Sequence, residues 1–384
     1  MKFGGTSVGS PERMKQVATL MTRSGEPTFV VLSAMSGTTN SLVDISDYLY
    51  KKNPDGANDV INALEKKYVG HAEALYSSEE WREKSRLFLR EEFDYLRTFT
   101  KDLFTSFEEK SIVAQGEVIS TNMMVNYLHE QGVDAVLLNA LDFMRTDKNG
   151  EPDTQYIKEK LQAQMALNAG HQVYVTQGFI CRNAYGEVDN LQRGGSDYTA
   201  SLVGAALECD EIQIWTDIDG MHNNDPRVVD HTEAVHQLNF EEAAELAYFG
   251  AKILHPTCIQ PAKFAGIPVR LLNTMDPDAE GDFHLHGDRD GLNADAFRTV
   301  YRDKHFRFFR KLRKDGGGPR QKTENCGEFF FGTAVKPRVS ASGGRKRPSR
   351  CRTSRRRRRR RHTERPSPRQ GPDISGRPSP RSRS

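Results

Sequence analysis

The sequence predicts an α/β fold, a three-layer αβα sandwich with a mostly parallel central sheet. Three observations carry that prediction. Up to about residue 281, short apolar runs alternate with longer stretches of helical periodicity. The runs are continuously apolar, as in "TFVVLSAMSG", which suits strands covered on both faces. Several end in glycine- or serine-rich loops that lead into helices, and open α/β sheets hold ligands at that edge.

Taken in order, the first clear strand is Phe29 to Leu32. Further strands are expected at Ala135–Leu138, Gln172–Thr176, Ile212–Thr216 and Val269–Leu272. Ser10 followed by Pro11 opens a helix by N-cap and first-turn preference, with Met14, Val17, Leu20 and Met21 on one face. Asn239, with Glu242 three residues on, marks another helix start before "EEAAELAYFG". From about residue 50 to 110, charged residues alternate with Leu, Phe, Tyr and Trp81 at helical spacing. This predicts a helical insertion covering one end of the sheet.

Composition excludes several classes. No apolar run approaches the roughly 20 residues of a membrane span, so no membrane partner is expected. "MKFGGTSVGS" lacks the apolar core of a secretory signal. The five cysteines show no CxxC pair or zinc spacing, which favours a reduced, cytoplasmic setting.

The formal net charge of +3 conceals two unlike regions. Residues 1–290 hold 26 Lys and Arg against 45 Asp and Glu, a net of −19. Residues 291–384 hold 29 against 7, a net of +22, and run through "RPSRCRTSRRRRRRRHTERPSPRQ". Such low complexity cannot bury enough apolar surface to offset chain entropy. The expected domains are therefore a catalytic domain over 1–285 and a disordered Arg-rich tail over 286–384. The seven consecutive arginines, Arg355 to Arg361, would bind nucleic-acid phosphate non-specifically. No aromatic interleaving or recognition module accompanies them.

Five stretches carry candidate chemistry. "KFGGTSVGS" is neither a P-loop nor a dinucleotide fingerprint. Gly4 and Gly5 nevertheless let backbone approach a phosphate, Thr6 and Ser7 add hydroxyls, and Lys2 supplies a point charge. The same residues also suit a plain strand-to-helix turn with a solvated lysine. "SAMSGTTN" puts Ser33, Thr39 and Asn40 in a tight turn at a strand's carboxyl end, or is an ordinary polar loop. In "AQGEVIST", Glu117 follows Gly116 at the start of a helix, where the dipole favours a carboxylate whether or not it binds a ligand.

"LQRGGSDYTASLVGAAL" places Arg193, two glycines, Ser196 as N-cap and Asp197 before a small-residue helix. Arg193 offers a fork of donors for an anion, while Asp197 can meet an ammonium. A capped helix with a surface salt bridge is the plainer alternative. "IWTDIDGMHNNDPR" delivers Thr216 and Asp217 to a strand end and returns Asp225 and Arg227 to the same edge. "FGAKILHP" then presents Lys252, either to a nucleotide or as a snorkelling surface side chain.

In this order and at these separations, "KFGGTSVGS", "VLSAMSGTTN", "QGE", "GFI", "RGGSDYTA", "WTDIDG", "DPR" and "FGAKILHP" resemble the aspartate kinases of the amino acid kinase superfamily. The pair "KFGGTS" and "RGGSD" separates them from relatives acting on glutamate, acetylglutamate, carbamate or UMP. The resemblance covers residues 1 to about 281. It implies an ATP-dependent phosphotransferase that uses Mg²⁺ and makes 4-phospho-L-aspartate from L-aspartate, the entry to lysine, threonine and methionine biosynthesis.

Carried onto matching positions, it implies that Lys2 neutralises the transferring phosphoryl group, with Gly4, Gly5 and Thr6 beside the phosphates. Arg193 would clamp the substrate α-carboxylate. Glu117 and Asp197 would hold its amino group, and Ser33, Thr39 and Ser196 would line its pocket. Thr216, Asp217, Arg227 and Lys252 would hold the nucleotide.

Three departures qualify the match. Family members carry residues before the Lys-Phe-Gly-Gly block, so a shortened first strand and a loosely held Lys2 are expected. His222 and Asn223-Asn224 replace common family residues near the adenine. Nothing after Gly281 resembles the paired ACT-type modules that build the family's regulatory dimer, and the abrupt change of composition suggests an out-of-frame reading. A homodimer stays open without that module. The alternatives are the kinase half of a fused aspartokinase–homoserine dehydrogenase, or a non-catalytic fragment whose tail binds nucleic acid.

Overall fold

Continuous apolar runs become the strands of an eight-stranded sheet in the computed structural model. The structure describes residues 1–101, 103–191, 194–217, 237–249, 255–278 and 283–286, with positions 229, 231, 232 and 235 between them. The strands are β1 (Lys2–Phe3), β2 (Thr28–Leu32), β3 (Ala135–Leu138), β4 (Val173–Gln177), β7 (Ile212–Thr216), β8 (Gln237–Asn239), β9 (Val269–Asn273) and β10 (Phe283–His286). Their order across the sheet is β3-β4-β2-β1-β7-β9-β10-β8. The first six are parallel, β10 is antiparallel to β9, and β8 runs with β10. A two-stranded hairpin, β5 (Ile180–Arg182) and β6 (Val188–Asn190), stands apart. Its strands are too short to give a clear period, and the sequence reading did not anticipate them.

Period two along β2 sorts its side chains to opposite faces. Val30 and Leu32 join a core with α1 (Pro11–Thr22) and α5 (Ser106–Glu130), while Val31 joins one with α7 (Gly195–Leu207) and α9 (Gln260–Ala265). α6 (Thr154–Leu167) packs beside α7 over β3 and β4. Helices thus cover both faces of a mostly parallel sheet, as expected for the αβα sandwich.

Helix ends follow local chemistry. The Ser10 hydroxyl accepts from the Arg13 N–H at 3.3 Å, with Pro11 in the first turn. Asn239 and Glu242 exchange side chain-to-backbone hydrogen bonds of 2.8 Å at the start of α8 (Phe240–Phe249). Between residues 50 and 110 lie α3 (Pro54–Leu75) and α4 (Glu79–Thr98), which stack on α2 (Thr38–Tyr50) and α5. Tyr68 of α3, Phe93 of α4 and Tyr76 just after α3 are buried and extend the core shared with α1. The insertion therefore thickens one helical layer by packing on helices.

Candidate active site at the carboxyl rim of the sheet

β4, β2, β1 and β7 lie side by side and parallel, so the loops that leave their carboxyl ends emerge along one rim. The chain direction changes sides at β1, which is where open α/β sheets form a cleft. Most candidate residues of the sequence sit on these loops or on the helix that faces them.

β1 is as short as expected, only Lys2–Phe3, but Lys2 is firmly held, contrary to the expectation of a loosely held side chain. β1 pairs with both neighbours, Lys2 opposite Val31 and Ile214. Phe3 is fully buried and stacks on Trp215 at 5.6 Å. The side chain of Lys2 is 12% exposed, and its Nζ lies 2.8 Å from Oδ1 of Asp197. This contact is an ion pair in distance but is not aligned as a hydrogen bond.

The adjoining turn is tied to the loop after β2. Ser36 N–H donates to the Gly5 carbonyl at 3.1 Å, and Ser7 N–H to that of Gly4 at 3.0 Å. A Cβ on Gly5 would lie 2.7 Å from the Ala34 carbonyl oxygen, so the approach of the two loops requires glycine there. Gly4 has its α-carbon beside the Lys2 ammonium, 3.5 Å from where a Cβ would stand. The Thr6 carbonyl accepts from Arg13 at 2.8 Å, which fixes the turn against α1.

A second group lies beside this one. The Ser33 hydroxyl donates to that of Ser196 at 3.0 Å, and the Ser33 carbonyl accepts from Ser120 at 2.8 Å. The next N–H, that of Ala34, donates to Oε1 of Glu117 at 3.2 Å. Glu117 is 4% exposed and its Oε2 has no partner among the described residues. Burial pushes its carboxyl up to about 8, against the smaller opposing effect of the Ala34 N–H.

Two sequence assignments are corrected here. Glu117 lies deep inside α5, which starts at Ser106 with a Thr105–Glu108 capping box, so no helix-terminus dipole acts on it. Gly116 imitated a break in the sequence because α5 passes so close to the sheet loop: a Cβ there would stand 2.7 Å from that of Ala34. Ser196 is not an N-cap either. Gly194, at φ 76°, takes that position, and α7 begins at Gly195. Ser196 instead packs on Gly178, while Asp197 sits in the first turn, where the dipole favours its charge.

The remaining candidates divide. Thr39 is the second residue of α2 and makes no hydrogen bond to Ser33, Ser196 or Glu117 among the described residues. Its neighbour Thr38 is the buried one, bonded to Tyr68 at 2.8 Å. Thr216 closes β7, and its hydroxyl donates to Asp217 at 3.3 Å. Arg193, Arg227, Lys252 and the basic tail lie outside the described residues. The structure thus joins Lys2, Ser33, Glu117, Ser196 and Asp197, with Gly4 to Thr6 alongside.

Two further residues escaped the sequence reading. Phe179, in the quoted "GFI", holds φ at 68°, an uncommon conformation for an aromatic residue, and its N–H donates to Thr199 at 3.1 Å. Cys258 donates to the Gly194 carbonyl at 3.4 Å, and burial first, then the charge of Asp197, pushes its thiol up to about 12. No sequence signal distinguishes that cysteine. Among the described residues, no three His, Cys, Asp or Glu side chains converge as a metal site.

Residues 1–273 match the model of the amino acid kinase family. The chain is 35% identical over 283 residues to lysine-sensitive aspartokinase 3 of Escherichia coli, covering 73% of this chain and 62% of that protein. It is also 35% identical over 302 residues to the chloroplastic aspartokinase 1 of Arabidopsis thaliana, covering 73% and 51%. Among solved structures, E. coli aspartokinase III in complex with aspartate and ADP aligns with a TM-score of 0.68 and 33% identity, over 76% of this chain and 64% of that one. The chain therefore spans less than two thirds of the length of these relatives. With the family model matched over most of its length, the chain belongs to the amino acid kinase family.

Proposed function

We propose that the protein is an aspartate kinase, transferring the γ-phosphoryl group of ATP to the side-chain carboxylate of L-aspartate to give 4-phospho-L-aspartate. The observation that carries this reading is the ion pair between Lys2 and Asp197, both mostly buried, beside the glycine turn at the sheet's carboxyl rim. Similarity to an aspartokinase crystallised with aspartate and ADP supports it.

The chemistry asks little covalent work of the protein. A carboxylate is already ionised at neutral pH, so the attack needs no general base. Two anions must be brought in line and their repulsion offset, which makes positioning and positive charge the catalytic task. Lys2 supplies a cation held in place by Asp197, and the Gly4–Thr6 turn supplies backbone close to the phosphates. Ser33 and Ser196 form the polar wall of the aspartate pocket. Glu117 offers a buried oxygen that has no partner among the described residues, suited to the substrate ammonium. Arg193 takes the α-carboxylate, while Thr216, Asp217, Arg227 and Lys252 take the nucleotide, with Thr39 at the pocket edge.

Magnesium would arrive on the ATP phosphates and offset part of their charge. Asp197 is the carboxylate that would stand near such an ion, whose other ligands would be phosphate and water.

Coupled assay of ATP consumption by the full chain with aspartate, glutamate and acetylglutamate tests the proposal, together with hydroxylamine trapping of an acyl phosphate. Turnover and a hydroxamate with aspartate are expected. Turnover confined to glutamate or acetylglutamate would assign the protein to a sister kinase.

A further inference from the structure

β4 ends at Gln177, and Gly178 continues its pairing by donating to the Leu32 carbonyl at 2.8 Å. Phe179 then turns the chain away at φ 68°, a conformation that costs a bulky residue energy and persists only where its surroundings hold it. Its carbonyl accepts from the Leu191 N–H at 2.7 Å, and its own N–H donates to the Thr199 hydroxyl at 3.1 Å.

Thr199 lies one turn into α7 and is fully buried. Its hydroxyl donates to the Gly195 carbonyl at 2.9 Å, which leaves a lone pair for the Phe179 N–H. The first bond is ordinary back-bonding within a helix. The second reaches 20 residues back along the chain and ties the start of α7 to the strained peptide. Both ends of this bridge are packed without slack. A Cβ on Gly195 would lie 2.6 Å from Cδ2 and 3.2 Å from the α-carbon of Phe179, and one on Gly178 would lie 2.5 Å from Oγ of Ser196. Ser196 in turn receives the Ser33 hydroxyl at 3.0 Å. A change in the Gly178–Phe179 backbone therefore passes directly to Ser196.

We infer that Thr199 is a positioning residue for the acceptor substrate: its hydroxyl holds Phe179 in the left-handed conformation and so keeps Ser196 against Ser33. The inference rests on the reading of those two serines as a wall of the aspartate pocket. Without the hydroxyl, the Phe179 N–H loses its partner and the strained conformation loses its hold. The backbone then relaxes toward an ordinary φ, and the face of Gly178 against Ser196 turns with it. Lys2 and the glycine turn are held by separate contacts, so the nucleotide side stays in place.

Steady-state kinetics of Thr199→Val, which keeps the shape and removes the hydroxyl, and of Thr199→Ser, which keeps the hydroxyl, test this beside the parent. Thr199→Val should raise the aspartate KM about tenfold or more with the ATP KM within about twofold, while Thr199→Ser stays within about threefold of the parent. A purely packing role would give the reverse order, because Thr199→Ser loses the methyl group. A crystal structure of Thr199→Val should show Ser196 parted from Ser33. The parent's aspartate KM in Thr199→Val, a Thr199→Ser impaired as much as Thr199→Val, or a Thr199→Val structure with the Ser33–Ser196 contact intact would each overturn the inference. Thr199→Ser decides if Thr199→Val does not fold. A parent inactive with aspartate would remove the aspartate reading alone, since the Ser33–Ser196 contact in the Thr199→Val structure decides this inference without turnover.

Discussion

The Nζ atom of Lys2 stands 2.8 Å from Oδ1 of Asp197, joining the central strand to the first turn of α7. Side-chain exposures of 12% and 15% keep bulk water from screening the contact fully. Each partner therefore fixes the other where charge must be placed. Lys2→Ala is expected to lower kcat by about 10²–10³-fold, the loss typical of removing one preorganised electrostatic contact. Asp197→Asn should also lower kcat, and the double variant should fall well short of the product of the two losses, because the residues act as a unit. Steady-state kinetics on the four proteins decide it. Independent, multiplicative losses would show that the ion pair has no joint role.

Gly178 is a stricter steric test of the substrate wall. A Cβ there would lie 2.5 Å from Oγ and 2.7 Å from Cβ of Ser196. Gly178→Ala should displace Ser196 from Ser33 and destabilise the fold by about 1–3 kcal/mol through overpacking. The aspartate KM should rise more than the ATP KM. An unchanged ratio of the two would remove Ser196 from the aspartate pocket.

The parts of this molecule that were legible in the sequence are those written in local pattern. The buried run ending at Leu32, the Ser10–Pro11 start and the Asn239–Glu242 box each depend on residues a few positions apart, and each has its expected form. What stayed hidden depends on tertiary approach. Gly116 read as a break before a new helix, yet it sits inside α5 because the helix packs against Ala34. The same glycine pattern at 194–195 does mark a helix start, and only φ and packing separate the two cases. Phe179, Cys258 and the β5–β6 hairpin carry no periodicity, so their positions follow from neighbours distant in the chain.

Ser7 and Thr274 exchange a 2.8 Å hydroxyl contact, and both are fully buried. The contact pins the glycine turn to the end of β9. Ser7→Ala takes this partner from the buried Thr274 hydroxyl and should destabilise the fold by about 1–3 kcal/mol. Adding Thr274→Val removes the orphan, so the double variant should recover part of that loss. Denaturant unfolding of the two proteins checks the sign, and a double variant less stable than Ser7→Ala would contradict the assignment.

Glu117 should couple proton release to ligand binding. Burial raises its folded carboxyl from 4.5 to about 8, so near pH 7 the ligand-free protein holds it protonated. The sign for stability follows directly. Between pH 4.5 and 8 the unfolded chain binds fewer protons at this position than the folded one, so this residue lowers stability as pH rises, by at most about 1.4 kcal/mol per unit. Below 4.5 both states are neutral and above 8 both are charged, so the dependence flattens. Glu117→Gln should remove the slope and leave the variant relatively more stable at pH 8 than at pH 5. An arriving ammonium favours the carboxylate, so aspartate binding at pH 7 should release a proton from this residue, with release fading above pH 8. Calorimetry in two buffers of different ionisation enthalpy measures it. Aspartate binding with the same proton count in the parent and in Glu117→Gln would separate Glu117 from the substrate ammonium.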